Sequence, residues 1–288
     1  MTTRRHRAIE TYHPDDDTIP NGPAVRVYQP SHPPQDAPLP LILFIHGGGW
    51  FAGTLDTEDR SCRMIAALAR AVVVSVEYRC GMAVALADEV ADCVAGFDWA
   101  CAQAGRLGAD PQKVVVMGGS AGGALAIATV ARVRRRGVAG LVHVNGIALH
   151  PGATPQAYRH LMTSYVENAG PLPFVSGDDT FALYEHWNIT PANIDLDIFP
   201  AAGGPDRLKG FPPTFIVTSG NDASRDDGTV LEAMLKDADV RAMRKNFPGL
   251  AHFFWFLDLP KANERFWWFL VGGIHWTLTG DEWLGHTA

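Results

Sequence analysis

Gly118-Gly119-Ser120-Ala121-Gly122 is the stretch that decides how this chain folds. Before it stands Val114-Val115-Val116-Met117, a continuous apolar run of the kind a buried parallel strand uses. After it, Ala124-Leu125-Ala126-Ile127-Ala128 reads as a helix. A G-x-S-x-G pattern between strand and helix predicts a turn so tight that only small residues fit beside the serine. Such a turn strains the serine backbone and lifts Oγ above the sheet edge, at the start of the helix. There the helix dipole and free backbone N–H groups favour developing negative charge. Short glycine motifs also recur as plain turns, so the rest of the chain has to carry the reading.

Outward from the elbow, strands and helices alternate. Leu41–Ile45 and Val72–Val76 read as buried strands before it, and Leu141–Leu149 and Thr214–Thr218 as strands after it. Arg60–Arg70 and Ala87–Ala102 have helical spacing. This alternation predicts an α/β fold: a mostly parallel central sheet with helices on both faces. Residues up to about Pro40 are rich in Pro, Asp and His and contain one expected strand, Ala24–Tyr28. Gly152–Lys209 is long, aromatic and proline-rich, with no core strand pattern. Loops after parallel strands lie where ligands bind. The expectation is therefore one domain over residues 1–288, with a cap over the active site from about residues 1–40 and 152–209.

Composition narrows the function classes. The 288 residues are 47% hydrophobic and 19% charged, as in a globular domain with a sizeable core. A net charge of −7 argues against a nucleic-acid partner. The one basic cluster, Arg132 with Arg134-Arg135-Arg136, precedes Gly137, where cations complement the end of the helix after the elbow. No phosphate-binding loop or dinucleotide fingerprint is present. No run is long and apolar enough to span a membrane, Phe266–Ile274 included, and the basic start lacks the apolar stretch of a secretory signal. Four clustered cysteines (Cys62, Cys80, Cys93, Cys101) suggest reduced thiols and a cytoplasmic location. The eleven histidines show no metal-ligand spacing, so no metal and no cofactor is expected. A helix from about Lys261 should bury Phe266 with Phe269 or Leu270. Other rings of the tryptophan-rich end (Trp255, Trp267, Trp268, Trp276, Trp283) could form a homodimer contact.

His46-Gly47-Gly48-Gly49-Trp50 directly follows the strand ending at Ile45. Acyl transfer passes through an oxyanion that needs two or three N–H donors aimed at one point, and glycines let the backbone come that close. Where a serine elbow serves this chemistry on an open sheet, acid and base follow in the order Ser…Asp…His. Asp222 lies just past the Thr214–Thr218 strand, and His252 lies in Pro248-Gly249-Leu250-Ala251-His252-Phe253. Asp226 and Asp227 are rival acids, but they begin the next helix and are expected to cap or solvate it. His143 and His150 are rival bases that precede the acid and so break the order.

At this point the chain resembles the hormone-sensitive-lipase-like esterases of the α/β-hydrolase superfamily, the family with an HGGG motif. The resemblance covers about Leu39–Leu270. It rests on the HGGGW of residues 46–50, Tyr78-Arg79, the GGSAGG of 118–123, Phe211-Pro212-Pro213, the GNDASRDDG of 220–228 and the GLAH of 249–252. It implies an α/β-hydrolase fold and a serine carboxylesterase: Ser120 as nucleophile, His252 as general base and then acid, and Asp222 as its orienting carboxylate. It also implies an oxyanion hole from the N–H groups of Gly48, Gly49 and Ala121, with Gly47 shaping the loop. The chain departs from the family at two places. Gly119 stands where an acidic residue usually precedes the serine, and Cys80-Gly81-Met82-Ala83 replaces the usual continuation of the Tyr-Arg pair. Both lie near the pocket in the family, which leaves room for a pathway-specific substrate.

The implied substrate is a small-molecule ester with a small to medium acyl group. Candidate pocket walls are Tyr158, Tyr165, Phe174, Phe181, Tyr184 and Trp187 from the cap, with Trp50 and Phe253 beside the triad. Two other readings use the same fold. A triad-bearing acyltransferase, cyclase or lyase would keep these residues and change the acceptor. A ligand-binding receptor, such as the plant gibberellin receptors that resemble this family, would lack the catalytic histidine, whereas His252 stands in its motif.

Overall fold

The computed structural model describes residues 15–31 and 37–281. Its strands are β1 (Asp15–Thr18), β2 (Ala24–Tyr28), β3 (Leu39–Ile45), β4 (Val72–Glu77), β5 (Ala109–Gly119), β6 (Val138–Val144), β7 (Thr214–Asn221) and β8 (Ala242–Ala251). They form one eight-stranded sheet in the order β1-β2-β4-β3-β5-β6-β7-β8. β1 pairs antiparallel with β2, and β2 antiparallel with β4. Every pairing from β4 to β8 is parallel. The inner parallel strands, β3 to β7, carry Val/Ile/Leu-rich runs because both of their faces are covered, which removes the polar alternation of a half-exposed strand.

The longer helices are α1 (Asp59–Ala69), α2 (Leu86–Gln103) and α3 (Ala121–Val133). After β6 come α4 (Ser164–Glu167), α5 (Gly177–His186), α6 (Pro205–Leu208), α7 (Arg225–Asp237) and α8 (Pro260–Thr279). α2, α3 and α7 bury Val90, Phe97, Leu125, Ile127, Val230 and Leu231 in one apolar cluster. α1 and α8 bury Ile65, Phe266, Phe269 and Leu270 in a second cluster on the opposite face. This is the α/β-hydrolase arrangement, with a mostly parallel sheet between two helical layers. The helix after the elbow ends as expected: α3 passes into a short 3-10 turn at Arg134–Arg136, and Gly137 has φ 93°.

Four features differ from the sequence expectation. β6 stops at Val144 instead of reaching Leu149, because Asn145 turns into the left-handed region at φ 45°. Residues 145–149 stay buried without being extended. β8 is an addition, since Ala242–Ala251 carries Arg244, Lys245, Pro248 and Gly249 and has no apolar run. So is β1, whose four residues are all polar. Of the arm expected to join the cap, residues 15–28 add to the sheet edge, and residues 1–14 and 32–36 lie outside the described residues, as does Trp283.

Candidate active site

β3 and β5 end side by side, with Ile45 in register with Gly118. The loops leaving them therefore meet at the carboxyl edge of the sheet, the usual ligand edge of open α/β sheets. Ser120, between β5 and α3, has φ 54° and ψ −128°. That is a strained conformation for a residue with a Cβ, worth about 1–3 kcal/mol. Three hydrogen bonds hold it: Ser120 N–H donates to Val144 O (3.2 Å), and Gly123 and Ile147 N–H donate to Ser120 O (2.9 and 3.0 Å). Gly122 must be glycine, because a Cβ there would stand 2.3 Å from Ile45 O and 2.4 Å from His46 O. That contact packs the start of α3 directly against the loop leaving β3.

The loop after β3 is built as tightly. Gly48 has φ 132°, and a Cβ on it would meet Ala52 O at 1.9 Å. Phe51 and Ala52 N–H both donate to Gly48 O, at 3.3 and 3.0 Å. The His46 ring sits under the turn, stacked on Tyr78 at 4.3 Å, with Nδ1–H donating to Gly47 O at 2.8 Å. Tyr78 OH in turn donates to His46 O (3.0 Å). Burial lowers the pKa of His46, so the ring stays neutral in this role. Glu58, at the start of α1, accepts from Gly47 N–H at 2.9 Å. Burial pushes its carboxyl up to about 7, against the pull of that N–H and of His252. Glu58 carries no spacing signature that would single it out in the sequence.

His252 follows β8, and its Nδ1 lies 2.8 Å from Asp222 Oδ2. Asp222 is fully buried. Burial alone would raise its carboxyl. The His252 imidazole, the Asn145 amide (2.6 Å to Oδ2) and Ser224 N–H (2.9 Å to Oδ1) together hold it below the ordinary aspartate range. Ser224 Oγ also donates to Oδ1 at 2.9 Å. The carboxylate is thus saturated with donors and oriented toward the ring. Asn145 and Ser224 are absent from the candidates read from sequence. The Asn145-Gly146 dipeptide is a turn signal that would have ended β6 early.

The rival acids do other work. Both were expected to cap or solvate α7, and both are buried instead. Asp226 Oδ2 accepts from Thr163 N–H (3.0 Å) and Ser164 N–H (2.8 Å), which ties α4 to the start of α7. Asp227 Oδ1 accepts from Ala148 N–H (2.8 Å) and Leu149 N–H (3.3 Å), which holds the turn after β6. His143 is buried in β6, and burial lowers its pKa to about 4. His150 accepts from Gly152 N–H and packs on Tyr184 at 4.7 Å.

The aromatic residues read as pocket walls fall into four settings, with Trp187 half-buried beside the first. Trp50, Tyr165 and Tyr184 are buried; Trp50 packs on Tyr184, Trp187 and Phe199, and Tyr184 OH donates to Leu149 O. Phe174 and Phe181 are exposed at 54% and 38%. Phe174 faces Phe256, beyond β8, at 6.4 Å, and Phe181 packs on Tyr165 and His150. Tyr158 is apart from the others: its OH bonds to Asp237, at the far end of α7. That helix is roughly 20 Å long, and Asp222 lies beyond its opposite end. Phe253 is buried and stacks on the His252 ring.

No group of three or more His, Cys, Asp or Glu among the described residues could hold a metal ion, and all four cysteines are free. Among the described residues no helix is long and apolar enough to cross a membrane.

Comparison with known proteins agrees with this architecture. A family model described as the α/β-hydrolase fold matches residues 42–256. The chain is 33% identical over 247 residues to the versiconal hemiacetal acetate esterase of Dothistroma septosporum, covering 84% of this chain and 74% of that one. It is 35% identical over 245 residues to the carboxylesterase NlhH of Mycobacterium tuberculosis, with 83% and 74% covered. Among solved structures, a thermostable carboxylesterase cloned from a metagenomic library superposes with a TM-score of 0.82 at 28% identity, covering 94% of this chain and 90% of that one. Vibralactone cyclase superposes with a TM-score of 0.83 at 29% identity, covering 93% and 81%. The chain belongs to the α/β-hydrolase fold family.

Proposed function

We propose that this protein is a serine carboxylesterase of the hormone-sensitive-lipase-like branch, working through Ser120, His252 and Asp222. The reading is carried by the buried His252–Asp222 pair (2.8 Å) on the same sheet edge as the strained elbow of Ser120. Ser120 Oγ attacks the ester carbonyl while His252 takes its proton. The oxyanion is stabilised by the N–H groups of Gly48, Gly49 and Ala121. The C–O bond then breaks, the alcohol leaves with the proton from His252, and water repeats the sequence on the acyl-enzyme. Asp222 stays ionised, fixes the imidazole tautomer and stabilises the imidazolium.

The substrate class is esters of small to medium acyl groups. The cap, residues 152–209, crowds the carboxyl edge with large rings, and the acetate named in the relative from Dothistroma septosporum is a short acyl group. A turnover screen with p-nitrophenyl esters of graded chain length tests this: rates should peak at short chains and decline. Efficient hydrolysis of emulsified long-chain triglyceride would overturn it.

A second reading is favoured by one observation, the close superposition on vibralactone cyclase. Here an acceptor other than water would resolve the acyl-enzyme. Product analysis decides, since hydrolysis yields free acid and cyclisation or transfer does not. The free cysteines support a cytoplasmic location. The half-exposed Trp268 on α8 is a candidate homodimer contact, and sedimentation of the protein tests it.

A further inference from the structure

The residue before the serine departs from the family pattern, and the structure gives a reason. A Cβ on Gly119 would lie 2.8 Å from Phe253 Cζ, 3.1 Å from its Cε1 and 3.2 Å from Val144 O, so the ring makes the two tightest of its contacts. On the other side of the ring, a Cβ on Gly47 would lie 3.2 Å from Cε2, 3.2 Å from Cζ and 3.2 Å from the Ser120 Cβ. The Phe253 ring edge is thus wedged between two glycines that flank the nucleophile. Its face lies flat on the imidazole of His252, with centroids 4.6 Å apart and planes 8° from parallel. Trp255 at 4.7 Å and Phe256 at 5.5 Å close the remaining side. The ring cannot swing away without unstacking from His252 or entering those two side chains.

Phe253 is also held in the left-handed region at φ 47°, a conformation that disfavours residues with a Cβ. Strain of this kind persists only where the surroundings over-determine it, and it concentrates at functional sites. The hydrogen bond to Asp222 fixes where Nδ1 points, but one hydrogen bond leaves the ring free to rock about that axis. A flat aromatic surface against the ring removes that motion.

We propose that Phe253 is a positioning residue for His252: its ring, admitted by Gly47 and Gly119, backs the imidazole and fixes its plane toward Ser120. Glycine stands at 119 because the phenyl ring, with Val144 O behind it, occupies the place of a side chain there. The proposal rests on the triad reading above. It moves Phe253 from substrate wall to support of the base.

A double-mutant cycle between Gly119→Ala and Phe253→Leu tests it, read by steady-state turnover of a short p-nitrophenyl ester. Leucine keeps the site apolar but removes the flat face and the Cζ atom. Phe253→Leu should lower kcat about tenfold with KM within about twofold, since a base out of line costs transition-state rather than ground-state binding. Gly119→Ala should lower kcat by a similar factor, because its methyl drives the ring off the imidazole. The double variant should lose much less than the product of the two single losses, because the methyl then enters space vacated by the ring and meets only Val144 O, 3.2 Å away. Melting temperature and circular dichroism of each variant separate lost positioning from lost folding. Unchanged kcat in folded Phe253→Leu, or losses that multiply in the double variant, overturns the proposal. His252→Ala is the control for the reading beneath it. Turnover surviving in that variant would bring down the triad and Phe253 with it, whereas an inactive His252→Ala beside a fully active Phe253→Leu removes Phe253 alone.

Discussion

The carboxyl edge of the sheet and the segment between β6 and β7 are built by different means. At the edge, backbone packs on backbone: Gly122 admits Ile45 O and His46 O, and Gly48 admits Ala52 O, at distances no side chain could share. Residues 152–209 instead form short helices and 3-10 turns tied down by side chains. Asp226 holds Thr163 and Ser164, Ser164 Oγ donates to Ala223 O, and Asn168 Nδ2 donates to Asp222 O. α5 begins with a capping box between Ser176 and Asp179, a local device that needs nothing from the sheet. Backbone packing allows almost no variation without loss of geometry, whereas side-chain anchors can be exchanged one at a time. On the proposed esterase reading, the edge can therefore keep the reaction while the segment between β6 and β7 changes what is admitted to it.

Substitutions at the edge should separate these roles most sharply. Ser120→Ala should leave the fold intact and lower kcat by about 10⁶, because the triad acts as a unit. Covalent labelling by a serine-directed phosphonate should vanish in the same variant. Labelling that persists places the nucleophile elsewhere. Asp222→Asn should lower kcat by about 10⁴, through the wrong imidazole tautomer and an unstabilised imidazolium. Asp226→Asn probes the tie from the same loop to Thr163 and Ser164. It should cost about 1.5–3 kcal/mol of stability by weakening a carboxylate that holds two backbone donors, with kcat falling less than tenfold. Equal loss of activity in the two aspartate variants would mean that the acid is wrongly assigned.

The same division explains what can be read from the sequence. The elbow and the HGGG loop are legible because backbone contact demands glycine at fixed positions. The inner parallel strands are legible because burial on both faces favours continuous Val, Ile and Leu. Where structure rests on isolated polar side chains, the sequence has no period to show. Asn145, Ser224 and Glu58 support the acid and the loop, yet each is a single residue without a pattern. β6 reads too long because Gly146–Leu149 continues the apolar composition of the strand while serving as a buried turn held by Asp227. β8 stays hidden because an edge strand carrying Arg244 and Lys245 does not look buried. Tyr158 resembles the other cap rings in composition, and only the tertiary path places it at the far end of α7.

A smaller effect is expected where the segment between β6 and β7 faces the loop after β8 across the surface. Phe174 and Phe256 pair at 6.4 Å, and both are exposed. Removing one ring opens volume without touching the backbone. Phe174→Ala should leave the rate on acetate esters within about twofold and raise the relative rate on longer acyl chains by a few-fold, the scale of one or two methylenes in an apolar pocket. An unchanged chain-length profile would place the pocket away from this rim.

The smallest effect on turnover, and a separate test of the frame, concerns Asp227. It lies in the first turn of α7 and holds the backbone after β6. Burial raises its carboxyl from 3.8 to about 7, outweighing the donation from Ala148 and Leu149 N–H. The folded protein therefore holds this proton more tightly than the unfolded chain does. Its contribution to stability is fully present below about pH 4 and is lost as the pH rises through about 7. In Asp227→Asn the amide keeps an oxygen for the two N–H donors and cannot ionise. Melting temperature should thus fall more steeply between pH 4 and 7 in the native protein than in Asp227→Asn, the gap corresponding to at most a few kcal/mol. Glu58 titrates in the same window, with its carboxyl raised to about 7 by burial, so the native curve alone cannot assign the slope. The difference between the two curves can, because Glu58 is common to both. Parallel curves would mean that Asp227 is already ionised across this range, and that the turn after β6 rests on a charged carboxylate.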